Sequence, residues 1–355
     1  MAEKKKRLYY IDALNCIAIF FVLVLHSAQL SHFGDESYTN LQLANVLQAL
    51  CIPAVYIFFM NSGATLLNYR ARQTTKEFFR RRTQRVLVPF IFWSICYYLF
   101  DIWFRAFPGP IDHSTDASFK GFINAFLNNN INNLFWFFYT IIALYLVAPI
   151  LSVLADKHKD VLGYVVIIYF IVNDVLNYLG NILGKDLTTE FISQPLLTSS
   201  FVGFFIMGYL IKENYFSIKV QNWLIILGMV TLLASLINIF TAGKYSFLSG
   251  YSPFLYSVSL YLIVKRITEH VKKEKVLQFF ALCSGASLGI YILHPLFYAL
   301  FDKIVYRTTI NDWTAYLDVL NDPIHILILP IVAYIILVAG VLLLKRIKLI
   351  AKILP

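Results

Sequence analysis

The sequence predicts an all-α, polytopic membrane protein with about ten transmembrane helices and both termini in the cytoplasm. Three observations carry this. Hydrophobic residues make up 59% of the chain and charged residues 14%, against about 45–50% and about 25% in a soluble domain, and the mean hydropathy is +0.67. Apolar runs of about 20 residues, the length that spans a bilayer, recur along the chain between polar segments. With the N-terminus placed inside, 24 of the 30 Lys and Arg face the cytoplasm and 6 the other side, as the positive-inside rule requires. That bias accounts for the net charge of +10 without nucleic acid. A disordered chain is excluded by 31 Phe and 23 Tyr.

The ten expected helices are 8–29, 43–69, 86–107, 132–155, 161–180, 196–213, 221–242, 252–267, 278–301 and 323–345. The first follows the basic MAEKKKR. Its apolar run is too long for a signal peptide and has no small-residue cleavage site, so it is expected to be retained. The second carries Asn61, Ser62 and Gly63, and the third follows the strongly basic stretch 70–85. The fourth opens with Trp136 and Tyr139, which read as an interfacial aromatic belt. The fifth to seventh are nearly continuous apolar runs. The eighth is short and opens near Pro253, the ninth contains Pro295, and the tenth ends before Lys345 and Arg346. The longer segments 108–131, 181–195 and 302–322 read as polar extracytoplasmic loops. No internal repeat is visible, and a single membrane domain over 1–355 is expected. The four cysteines lie in apolar stretches without CxxC spacing. Neither a disulfide framework nor a metal site is expected.

Ionisable groups inside a membrane are expensive and usually face a polar interior. The first helix holds Asp12, Asn15 and His26. Asn15 and His26 are eleven residues apart, about 20° from eclipsed and about 16 Å along the axis. Asp12 lies one turn before Asn15, so the three share a face. A neutral imidazole at His26 can take a proton from a hydroxyl, or it can anchor the helix end at the interface. Asn61, Ser62 and Gly63 suit either helix packing or a substrate passage. Arg82 and Arg85 lie about one turn apart and can converge on one anion, since Arg matches phosphate bidentately. The same charges also serve topology and attraction to anionic lipid in the bilayer. In SLGIYILHP, Ser287, Tyr291 and His294 form a polar face at i, i+4, i+7, and Pro295 should bend the helix beside His294.

In order along the chain, RLYYIDALNCIAIFFVLVLHS, FFMNSGATLL, RRRTQRVLVP, FWFFYTIIALYLVAP, FFIMGYLI and SLGIYILHP resemble the acyltransferase-3 family. The closest branch is that of integral-membrane surface-polysaccharide O-acyltransferases. The resemblance implies transfer of an acyl group, often acetyl from acetyl-CoA, to a hydroxyl of a cell-surface glycan or glycolipid. It places the protein in the cell membrane, as in a bacterial cytoplasmic membrane. It also implies His26 as the catalytic histidine, acting as general base or as transient acyl carrier. Arg82 and Arg85 would bind acyl-CoA, with Asn15 beside its thioester or pantetheine amides. Asp12, Ser62, Ser287, Tyr291 and His294 are substrate-positioning candidates. No tightly bound cofactor is implied, since acyl-CoA is a co-substrate, and no oligomeric state follows. The family usually carries Arg or Lys eleven residues before its histidine, where this chain has Asn15. The rival functional classes are an exporter of polysaccharide or lipid-linked sugar and a non-catalytic membrane sensor.

Overall fold

The computed structural model describes residues 7–104, 117–187, 201–244, 253–309 and 312–354. Among these the chain is helical and contains no strand. Eight helices are long and apolar enough to cross a membrane. We label them, with two shorter ones, α1 (Tyr9–Ser27), α2 (Leu41–Leu66), α3 (Thr75–Trp103), α4 (Asn133–Lys157), α5 (Lys159–Leu183), α6 (Val202–Lys212), α7 (Ile218–Phe240), α8 (Phe254–His270), α9 (Ser287–Tyr306) and α10 (Ile324–Leu344). Each of the ten expected segments contains helix among the described residues. α6 has 11 residues and α8 has 17, so both fall short of the other eight. The expected starts at 196 and 252 lie outside the described residues, as do 105–107 at the end of the third.

Three boundaries differ from expectation. The expected helix 278–301 is two helices, Glu274–Ser284 and α9, with Gly285 closing the first. The segments 108–131 and 302–322 are partly helical where described. Phe119–Leu127 is capped by the Ser118 side chain, and Trp313–Leu320 by the Asp312 side chain. Both carry an N-cap residue followed by apolar residues at helical spacing. Their shortness made them read as loops.

The helices fall into two compact units. The first takes residues 1–22, 45–72 and 148–287. Its centre is α6, in which every residue from Val202 to Ile211 is buried. The approach of α6 to α2 depends on two glycines. A Cβ at Gly63 would lie 1.6 Å from the Phe205 carbonyl oxygen, and one at Gly208 would lie 2.0 Å from that of Met60. Small residues let backbones meet where lipid gives no hydrophobic drive for helix association. By contrast α7 is almost wholly uncovered, with Trp223, Ile226, Val230, Leu233 and Ile237 exposed. An outward face this apolar is suited to lipid.

The second unit takes residues 23–44, 73–147 and 288–355. Its core is aromatic. The Phe90 ring stacks on Phe138 at 4.9 Å and meets Tyr139 edge-on at 4.9 Å. The Tyr139 hydroxyl donates to the Phe126 carbonyl. Tyr97 donates to the carbonyl of Ile292 on α9 at 2.5 Å. On α3, Val88, Ile91, Ile95, Leu99 and Trp103 recur every three or four residues and are exposed, again a stripe for lipid.

Candidate functional site

In the second unit the last turn of α1 lies against α9 and α10. Three hydrogen bonds hold it there. The Tyr298 hydroxyl donates to the Leu23 carbonyl at 2.9 Å and accepts from the Ser27 hydroxyl at 3.2 Å. His325 Nδ1 meets the Ser27 carbonyl at 3.2 Å. The arrangement places the His26 and His294 rings face to face, 5.0 Å apart and 27° from parallel. Both line a cavity of about 50 Å³ shared with Gln29, Leu134, Pro295, Tyr298, Ala299, Asp302, Thr309 and Tyr316. A water needs about 10–15 Å³ measured this way, so the space suits a hydroxyl and a short acyl group.

The local sequence settles which nitrogen of His294 is basic. Pro295 has no N–H, so the Tyr291 carbonyl four residues earlier loses its helical partner. His294 Nδ1 takes that place at 2.8 Å, with the Ile290 carbonyl at 3.2 Å. A carbonyl only accepts, so Nδ1 carries the hydrogen. In the neutral ring Nε2 therefore holds a lone pair. It is buried without a hydrogen-bond partner. His26 differs, since its Nδ1 lies 3.1 Å from the Gln29 amide nitrogen. A half turn of that amide presents its oxygen instead, so Gln29 can partner either tautomer. With the oxygen facing Nδ1–H, Nε2 of His26 is the basic atom.

Tyr291 does not offer its hydroxyl to this cavity, because it donates to the Leu134 carbonyl. Its ring packs 5.7 Å from His294 and 5.1 Å from Phe137. Ser287, Tyr291 and His294 lie on one helix, with Ser287 in the first unit and the other two in the second. Gln29, Asp302 and His325 were missed as site residues. The rule that singled out His26, an ionisable group in an apolar run, also fits His325 in PIHILILP. Asp302 was missed because the segment 302–322, whose start is the end of α9, read as a loop.

In the first unit the remaining candidates bond to one another. The Asn15 amide donates to the Ser284 hydroxyl at 3.1 Å, and its oxygen accepts from the Asn61 amide at 2.9 Å. Ser287 donates to the Asn15 carbonyl at 3.5 Å. Asp12 is gripped bidentately by Arg7 at 2.7 and 2.9 Å. That hydrogen bond raises the Arg7 pKa above its ordinary value. Arg7 is therefore not a spare cation for a donor. Ser62 is half-buried on α2, where its carbonyl accepts from Thr65 at 3.3 Å.

Arg82 and Arg85 lie in the second unit. Arg82 caps the N-terminus of a π-turn over Thr83–Leu87 and Arg85 lies within it, where a simple α-turn was expected. Arg82 is half-buried, with its guanidinium 5.8 Å over the Tyr145 ring and its Nε unbonded. Arg85 is exposed. Burial, and then Arg85 nearby, lower the Lys345 pKa below its ordinary value. Neither arginine is in an ion pair among the described residues. Cations without carboxylate partners leave this end of the unit open to an anion.

Fold and cavity together define a helical, multi-pass membrane protein with a stacked imidazole pair on a cavity. Residues 8–345 match the family model described as an acyltransferase domain, acyltransferase-3. The chain belongs to that family and is an acyltransferase of groups other than aminoacyl. No curated protein matches it, and no solved structure does.

Proposed function

We propose that the protein is an O-acyltransferase of the surface-polysaccharide branch, moving an acetyl group from acetyl-CoA to a hydroxyl of an envelope glycan or glycolipid. The observation that carries this is the His26–His294 pair on a cavity sized for a hydroxyl and a short acyl group. In the reaction, His26 Nε2 takes the proton of the acceptor hydroxyl as its oxygen attacks the thioester carbonyl. The C–O bond forms, the C–S bond breaks, and the leaving thiolate takes the proton. In the variant route the acyl group first rests on His26 and then passes to the hydroxyl. Arg82 and Arg85 hold the phosphates of the donor. Their lack of carboxylate partners supports this role.

The reading places one acyltransferase domain in the cell membrane, with ten spans and both termini cytoplasmic. The 24-to-6 division of Lys and Arg supports that topology. A membrane-impermeant thiol reagent tests it on a Cys-free background. Asp116→Cys should label in intact cells and Glu3→Cys should not, and the opposite pattern reverses the orientation. Function is tested with purified protein in liposomes, labelled acetyl-CoA and extracted envelope glycan. Wild type should form base-labile glycan esters and His26→Ala should not. Glycan movement without acyl transfer would favour an exporter.

A further inference from the structure

Among the described residues lining the His26–His294 cavity, Asp302 is the one acid. It is 4% exposed and lies in a π-turn over Asp302–Tyr306 that ends α9. Its Oδ1 is 3.4 Å from Nε2 of His325, which is 1% exposed. Neither atom has a hydrogen-bond partner elsewhere in the described residues.

The other nitrogen of His325 fixes what lies between them. Nδ1 faces the Ser27 carbonyl, which can only accept, so Nδ1 bears the hydrogen. A neutral ring would then point the Nε2 lone pair at a carboxylate oxygen, two acceptors face to face. One added proton removes the conflict. It sits on His325, giving an ion pair, or on Asp302, giving two neutral groups. Either way the couple is neutral overall, as a buried site favours.

We infer that Asp302 and His325 hold one proton between them and that Asp302, the cavity-facing end of this couple, is the acid that offsets positive charge on the histidine pair, with His325 positioning it. The role in catalysis rests on the acyl-transfer reading above. When His26 takes the acceptor's proton it becomes an imidazolium in a largely apolar site. The stacked His294 ring brings no negative charge. In its ion-pair form the couple brings its carboxylate end to the same cavity, since Asp302 lines it and His325 is not among its described lining residues, and that end offsets the new charge while the couple itself stays neutral.

The test compares Asp302→Asn with Asp302→Glu. Membrane vesicles from a strain lacking the gene and supplied with each form receive labelled acetyl-CoA. Base-labile label on the glycan fraction is counted at equal protein level. A counter-charge predicts that Asn loses about 100-fold or more, while Glu, which keeps the charge, retains more than Asn. A purely structural role predicts the reverse, because Asn has the shape of Asp and can donate an N–H to the His325 lone pair. Asn equal to or above Glu overturns the inference. Nitrogen NMR of histidine-labelled protein in nanodiscs is the second readout. His325 should carry hydrogen on Nδ1; a bare Nδ1 with a protonated Nε2 overturns the shared proton. Wild-type vesicles that transfer no acetyl would sink the acyl-transfer reading instead, and the nitrogen spectra would still decide whether the couple exists.

Discussion

The polar groups around the candidate residues are satisfied differently in the two units. In the first, Asn61, Asn15 and Ser284 form a chain of side-chain hydrogen bonds, and Arg7 closes on Asp12. Apart from Asn61 Oδ1, these groups are not among the buried atoms that lack a partner. In the second, His294 Nε2, His325 Nε2 and Asp302 Oδ1 are all buried without a hydrogen bond, and His294 and Asp302 border a cavity. A satisfied network stabilises a fold, whereas an unsatisfied one costs free energy and persists where something else uses it. Substitutions in the first unit should therefore move stability, and those in the second turnover.

The largest expected effect is at His26. General acid–base assistance is worth roughly 10²–10⁴-fold, so His26→Gln should lower transfer by that factor with an unchanged melting temperature. Transfer within a few-fold of wild type would make His26 an interfacial anchor. Next comes Arg82→Ala. Losing a charge-assisted contact costs roughly 1.5–3 kcal/mol, or about 10–150-fold in donor Kd. Calorimetry with acetyl-CoA measures it, and Arg82→Lys should recover only part. An unchanged Kd would leave Arg82 to its stack on Tyr145.

Smaller effects belong to the first unit. Asn15→Ala breaks two hydrogen bonds, each worth roughly 0.6–2 kcal/mol between membrane helices. Thermal unfolding in detergent should show the loss, with turnover per folded molecule unchanged. A weaker donor Kd in that variant would instead place Asn15 beside the donor. The least effect is expected from Arg7→Ala, because Arg7 is 54% exposed and such pairs contribute about 0–1 kcal/mol. A loss of several kcal/mol there would break the contrast between the units.

Much of the fold was legible because bilayer length and apolar composition dominate it. Each expected segment contains helix among the described residues, and Pro295 beside His294 signalled the local change that fixes that ring's tautomer. The divisions within helices were less visible. Nothing in a hydropathy pattern separates Glu274–Ser284 from α9, or places Arg85 in a π-turn that begins after Arg82. The site was half legible. His26 and His294 stand out as ionisable residues in apolar runs, but which polar groups meet depends on tertiary packing. Asn15, Asn61 and Ser284 are remote in sequence, as are Asp302 and His325. Spacing on one helix suggested that Asp12 and Asn15 act with His26, yet their hydrogen-bond partners belong to the first unit.

The central claim is that the second unit's cavity transfers acyl groups through His26. Mass spectrometry of ester-linked acyl groups on envelope glycans tests it most directly, in a strain lacking the gene and restored with wild type or His26→Gln. Wild type should return the esters, and His26→Gln, at equal protein level, should leave them at the level of the deletion. Full acylation with His26→Gln, or glycans that never depended on the gene, would contradict it.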